Sequence, residues 1–250
     1  VGMGGSLGRT EATGYGLIYT VREALREQGI KIENTSASIQ GFGNVAQYAA
    51  QLYQELGGHV VSVCCWDNED KKVYAFHKDE GLDGQALADM TDSFGSIDKD
   101  MARDMGCKME TGDTWIEQDV DILIPAALEN QITMNNVGKI SKQVKFIVEG
   151  ANGPVNTEAD QVLRNSDIFV IPDFLANAGG VTCSYFEQVQ SNNNYYWEKE
   201  DLLQKLDTKM TSAFRAVSEL SRKNNLYMRD AAYVISINRV AQAVKMRGWV

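Results

Sequence analysis

An apolar run from Ala37 to Gln40 stops at Gly41 and is followed by Phe42-Gly43-Asn44-Val45-Ala46. No other stretch restricts the fold so strongly. The run reads as a buried strand, and Val45, Ala49, Leu52 and Leu56 then recur at helical spacing. Strand, glycine turn and helix together are the context in which G-x-G-x-x-A points to a dinucleotide. Gly41 permits the tight turn, Gly43 lets backbone approach a pyrophosphate, and Ala46 lets helix and strand pack closely. The start of the helix offers unpaired N–H groups and a positive dipole end to phosphates. A second apolar run, His59 to Cys65, leads to Asp67. A carboxylate about twenty positions past the motif is placed to hold a ribose hydroxyl. The competing reading is an ordinary strand-to-helix turn of an α/β protein.

The rest of the chain repeats the alternation. Val120–Ala127 reads as a strand stopped by Pro125, Val144–Val148 as another, and Ile168–Ile171 as a third. Lys71–Phe76 alternates like a small edge strand, and Gly81–Asp104 reads as polar and helical in pieces. Strands alternating with helices predict an α/β fold, a doubly wound, mostly parallel, Rossmann-like sheet with additional C-terminal helices. In such sheets ligands sit at the carboxyl ends of the strands. The Gly41 turn, Asp67, Ala126-Ala127, Ala151-Asn152 and the segment from Asp173 to Gly180 all fall there.

Helical segments frame this sheet. From Thr10, the residues Leu17, Val21, Ala24 and Leu25 give one apolar face, with a polar face over Arg22–Glu27 and a stop at Gly29. Gly14 and Gly16 are costly inside a helix. They predict either fraying or close approach of another backbone or a ligand. Asn177-Ala178-Gly179-Gly180-Val181 opens a helix through Ser184, Phe186 and Val189, broken at Ser191–Asn194. Leu203, Leu206, Met210, Phe214 and Val217 follow helical spacing, as do Ala231, Val234, Asn238, Ala241 and Val244. Both rows read as packing faces. The boundaries predict one dinucleotide-binding domain over 1–250, with 1–8 as a glycine-rich linker and C-terminal helices over about 198–250.

A net charge of −10 argues against a nucleic-acid surface and against anionic membranes. No membrane-length apolar run and no signal peptide is visible. Cys64, Cys65, Cys107 and Cys183 lack C-x-x-C spacing and read as reduced thiols of a cytoplasmic protein. Cys64 and Cys65, as strand neighbours, should face opposite sides of the sheet. His59 and His77 show no metal-site spacing, and no metal is expected.

Five ordered motifs together resemble one family. These are Gly5-Ser6-Leu7-Gly8-Arg9-Thr10-Glu11-Ala12-Thr13-Gly14, Gln40-Gly41-Phe42-Gly43-Asn44-Val45, Pro125-Ala126-Ala127, Glu149-Gly150-Ala151-Asn152-Gly153-Pro154 and Asn177-Ala178-Gly179-Gly180-Val181. Their order and spacing resemble the cofactor half of glutamate dehydrogenase, of the Glu/Leu/Phe/Val dehydrogenase family. The resemblance implies that Thr13 and Asn177 hold the nicotinamide carboxamide and Asn152, beside Ala151, the nicotinamide ribose. A neutral carboxamide needs a donor and an acceptor together, which Thr and Asn supply. Gly41, Phe42, Gly43, Asn44 and Val45 would take the pyrophosphate and Asp67 the adenosine ribose. Ala126 and Ala127 would lie beside the cofactor, and Gly179 and Gly180 would let the helix start approach the nicotinamide.

For the substrate, the resemblance implies that Ser184 binds the side-chain carboxylate of L-glutamate and Val181 lines the pocket. Relatives acting on leucine, phenylalanine or valine carry an apolar residue where Ser184 stands. Taken alone, Ser184 reads as a helix serine bonding to its own backbone. One departure concerns Cys65, which stands where many NAD-using members have an acidic residue. Asp67 would repel a 2′-phosphate, whereas Lys71 or Lys72 could attract one, so NAD is expected, with NADP as the alternative. The family's catalytic lysine and aspartate match nothing here and are expected on a missing N-terminal substrate domain. The resemblance thus implies oxidative deamination of L-glutamate to 2-oxoglutarate and ammonia by a homo-oligomer, hexameric in the family. The isolated chain is expected to bind cofactor without turnover. The alternatives are a leucine, phenylalanine or valine dehydrogenase domain, a non-catalytic nucleotide-binding module, and, more remotely, a methyltransferase-like use of the sheet.

Overall fold

The computed structural model describes residues 5–249. Residues 1–4 of the expected linker lie outside them. Seven strands form one sheet: β1 (Ser36–Gln40), β2 (His59–Asp67), β3 (Lys72–His77), β4 (Lys108–Thr111), β5 (Ile122–Pro125), β6 (Phe146–Val148) and β7 (Phe169–Ile171), in the order β4-β3-β2-β1-β5-β6-β7. The five strands from β2 to β7 are parallel, whereas β3 and β4 are antiparallel additions. The expected α/β doubly wound sheet is therefore present, with one correction. The strand expected at the edge is interior, because β4, too polar to announce itself, pairs outside it through Tyr74 and Thr111.

Nine α-helices complete the described chain: α1 (Ala12–Glu27), α2 (Asn44–Glu55), α3 (Gly84–Asp89), α4 (Lys99–Asp104), α5 (Thr157–Arg164), α6 (Asp173–Ala176), α7 (Gly179–Asn193), α8 (Lys199–Asn224) and α9 (Met228–Met246). Alternating strand residues enter two cores. Ile39, Ile124, Val148 and Ile171 meet α1, α2, α7 and α8 on one face, while Leu123, Ile147 and Val170 meet Trp115 and α5 on the other. Cys65 and Cys64 divide between the same two cores, as strand geometry requires. Among the described residues no helix is long and apolar enough to cross a membrane.

The helix α1 departs from the amphipathic expectation, because it is covered on nearly every side. On its polar face Arg22 donates to both carboxylate oxygens of Asp207 at 2.9 and 2.6 Å, and buried Glu23 accepts from Arg215 at 2.8 Å. Arg22 and Glu23 thus bind α8, while Arg26 and Glu27 stay exposed. Gly14 and Gly16 serve close approach. A Cβ on Gly14 would lie 2.6 Å from Ala49 N and Val45 O, and one on Gly16 would lie 2.8 Å from Gly179 Cα. The helix α7 runs on to Asn193 and ends at left-handed Asn194, so the break falls later than expected.

The second half of α9 is the other correction. Ala231 is buried, but Val234, Asn238 and Ala241 are exposed and Val244 only half-covered. Tyr233, Ile237 and Val240 are also exposed. The helical period is real, yet among the described residues little covers that face beyond Phe174, which meets the Tyr233 ring.

Gly14→Ala is expected to lower folding stability by about 1–3 kcal/mol, since backbone on both neighbours cannot yield. Gly138→Ala, with no atom within 4 Å of its Cβ position, should stay within about 0.5 kcal/mol. Urea unfolding of the two variants measures the contrast.

Candidate functional site

The strand order reverses between β1 and β5, so the connections leaving these strands run apart and open a crevice at their carboxyl ends. At its floor Gly41 adopts φ +86°, and a Cβ there would lie 2.9 Å from Ala127 Cβ. Above it a cleft of about 880 Å³ gathers residues from six parts of the chain. Thr13 comes from α1 and Val45 from α2. Ala126 and Ala127 follow β5, and Ala151 and Asn152 follow β6. Asn177 follows α6, and Val181 and Ser184 come from α7. Nine residues singled out in the sequence thus share one cavity.

The two asparagines are already joined. Asn177 Nδ2 donates to Asn152 Oδ1 at 2.8 Å and to Gly150 O at 3.4 Å. This fixes which amide atom each turns toward the other, with Asn177 Oδ1 outside the pair. Thr13 stands beside the start of α7, where a Cβ on Gly180 would lie 2.4 Å from its Oγ1. Gly179 is closer still to α1, at Ala12 O. The missing side chains of both glycines admit α1, and Gly180 also lines the cleft.

Gly43 differs. It has φ −78°, precedes α2 as its N-cap, and a Cβ on it would meet nothing within 4 Å. Among the described residues no side chain caps α2. The turn therefore presents open space in front of unsatisfied helix N–H groups, the physical setting for an anion. Asn44 does not reach into it, because its Nδ2 donates to Thr10 O at 2.7 Å and ties α2 to the approach of α1. The Phe42 side chain is in the core, so only its backbone faces the turn.

Asp67 lies outside the large cleft, beside a second hollow. Its Oδ1 accepts from the N–H groups of Asp70 and Glu69 at 2.7 and 2.9 Å, and Lys99 Nζ stands 2.9 Å from Oδ2. The Asp70 N–H first and the Lys99 ammonium after it hold its carboxyl below the usual range. Asp67 thus organises the turn after β2. The hollow is acidic, with Glu69, Asp92, Asp98 and Asp100 around Lys99, the one cation among the described residues that line it. Burial pushes the Cys65 thiol up to about 11, so a neutral group stands two residues before Asp67.

Arg9 was missed as a site residue. Its Nε donates to Ser184 Oγ at 3.1 Å, and Ser184 in turn donates to Gly180 O at 3.1 Å. The serine does bond to its own helix, and it also holds a guanidinium in the cleft. Phe174, Leu128 and Glu129 line the cleft as well. Spacing could not have found these residues. Arg9 lay within a recognised motif, and an exposed arginine next to a helix start was the available signal.

The chain matches the family model described as Glutamate/Leucine/Phenylalanine/Valine dehydrogenase over residues 4–248. It is 43% identical over 249 residues to the NAD-specific glutamate dehydrogenase of Clostridioides difficile, covering 100% of this chain and 58% of that protein. It is 38% identical over 248 residues to the cryptic catabolic NAD-specific glutamate dehydrogenase of Bacillus subtilis, covering 99% and 55%. The crystal structure of glutamate dehydrogenase from Peptoniphilus asaccharolyticus superposes with a TM-score of 0.82 at 34% identity, over 100% of this chain and 56% of that one. The Plasmodium falciparum enzyme superposes with a TM-score of 0.89 at 27% identity, over 98% and 53%. The chain spans little more than half the length of each.

All four cysteines are buried and unpaired. Native protein is expected to show almost no reaction with a thiol-specific disulfide reagent within minutes at neutral pH, and four reactive thiols after denaturation. Absorbance of the released chromophore counts them.

Proposed function

The chain belongs to the glutamate/leucine/phenylalanine/valine dehydrogenase family, and from that premise we propose that it is the dinucleotide-binding domain of an NAD-dependent glutamate dehydrogenase. The full-length protein then interconverts L-glutamate with 2-oxoglutarate and ammonia. The observation that carries this reading is the Arg9–Ser184 pair, 3.1 Å apart, in the same cleft as Asn152 and Asn177. A cation and a hydroxyl side by side suit a carboxylate and would be wasted on a hydrocarbon side chain.

A dinucleotide fits the residues present. The open space at Gly43 and the uncapped start of α2 suit a pyrophosphate, with backbone from Gly41 to Val45 as donor. Asn177 Oδ1 and the Thr13 hydroxyl supply the acceptor and donor that a carboxamide needs. Asn152, held by Asn177, takes the adjoining ribose, with Ala151, Ala126 and Ala127 leaving room beside it. A nicotinamide held by Thr13, Asn152 and Asn177 would supply the acceptor for the hydride that leaves the substrate Cα. Arg9 and Ser184 orient the substrate's side-chain carboxylate, and Val181, one turn earlier on α7, borders its methylenes. Holding the reactants in this geometry lowers the entropic part of the barrier.

The acidic hollow around Asp67 supports NAD over NADP, because its carboxylates repel a 2′-phosphate while Asp67 and Asp70 engage Lys99. In this reading Asp67 shapes the turn that meets the adenosine ribose. Residues 1–250 act as one cofactor domain, with 1–8 as its linker and residues from about 198 as its C-terminal helices. The general base and the water-activating lysine belong to the remainder of the full-length protein, which assembles as a cytoplasmic homo-oligomer.

Gly43→Val is expected to keep the thermal stability of the parent chain, because its backbone is extended and its Cβ position open, and to lose NADH binding. Fluorescence titration with NADH reads the outcome; unchanged affinity would place the pyrophosphate elsewhere. In the full-length enzyme Ser184→Val should cut kcat/KM for glutamate by one to two orders of magnitude, in line with the roughly 1.5–3 kcal/mol of a hydrogen bond to a charged group. Steady-state kinetics with glutamate and leucine side by side test this, and equal losses on both would remove the substrate assignment.

A further inference from the structure

Behind the cleft, three carboxylates converge on one guanidinium. Arg229, in the first turn of α9, donates to Glu149 Oε1 and Oε2 at 2.5 and 3.0 Å as a two-pronged pair. It also donates to Asp160 at 3.1 Å and reaches Asp173 at 3.5 Å. Glu149 is fully buried, and burial pushes its carboxyl up against the pull of Arg229. Neither residue lines the cleft.

Their partners lead directly into it. Glu149 immediately precedes Gly150, and its Oε2 also accepts from Asp173 N at 2.8 Å. Asp173 Oδ2 accepts from Gly153 N at 2.9 Å, closing the far end of the loop that carries Asn152. Asp173 also begins α6, and its carbonyl accepts from Asn177 N at 2.8 Å. One turn along α9, the Tyr233 ring stacks on Phe174 with centroids 4.7 Å apart. The loop bearing Asn152 and the helix bearing Asn177 are thus fastened to the same side chain.

We propose that Arg229 is a positioning residue that sets the Asn152–Asn177 pair for the nicotinamide end of the cofactor, through Glu149 and Asp173. This rests on the dinucleotide reading above. A lysine cannot replace it, because an ammonium lacks the planar fork that engages both Glu149 oxygens while reaching Asp160 and Asp173.

The test compares NADH with ADP, which carries the adenosine and phosphates but neither the second ribose nor the nicotinamide. Both are titrated against the parent chain, Arg229→Lys and Glu149→Gln, with thermal melting to confirm folding. Glu149→Gln keeps the shape of the carboxylate and serves if Arg229→Lys fails to fold. The expected result is an affinity for NADH about tenfold weaker in the variants, with ADP changed by less than twofold. Equal losses for the two ligands, or no loss for NADH in folded variants, would overturn the positioning role. Absence of NADH binding by the parent chain would instead overturn the dinucleotide reading on which it stands.

Discussion

The geometry of the cleft depends on how closely three helices can approach. Helix α1 meets α2 at Gly14 and α7 at Gly16, and at both contacts a single methyl group would collide with backbone. Backbone cannot step aside as a side-chain tip can. These contacts fix where α1 begins, and so place Thr13 in its first turn and Arg9 just before it. Helix α7, held against Ala12 and Gly16 through Gly179, brings Ser184 to Arg9 across 175 positions of sequence. The cost of glycine inside a helix is offset by the burial of nearly all of α1.

Charge plays a different part from the one its sum suggests. A net charge of −10 says little about the site, where a single arginine sits against a serine. Elsewhere acidic groups act locally. Asp67 folds the turn after β2 around its own oxygens, and Glu149, Asp160 and Asp173 surround Arg229. Burying such a cluster contributes little net stability, but removing one member leaves a buried charge without its partner. That makes it suitable for holding geometry.

What could be read in the sequence was what is encoded locally. The turn at Gly41 and the strands β1, β2, β5, β6 and β7 each lie within a few residues of their signal, whereas the asparagines after β6 and α6 were singled out only by the family resemblance. Strand β4 was not legible, because Lys-Met-Glu-Thr has no apolar alternation and pairs only once β3 provides an edge. The outer half of α9 was misread because helical period reports a face without saying what covers it. Arg9 and Arg229 escaped for a third reason. Each acts through a contact made by the fold, and neither spacing nor residue type marks an arginine that will meet Ser184 or Glu149. Asp67 stands where a carboxylate was sought, but its hydrogen-bonding capacity is largely engaged by its own turn.

Gly41 and Ala127 form one steric unit at the switch point. The left-handed backbone of the first and the small side chain of the second leave no room for independent change. For anyone redesigning cofactor preference, this divides the surface into fixed and editable parts. The floor between β1 and β5 must be inherited as it stands. The rim is open to redesign, from the acidic hollow toward the loop at Gly95, which rests against Gly43 from outside. Evolution and protein engineering meet the same boundary there: new ligand preferences can be written on the rim while the floor keeps the fold's entrance intact.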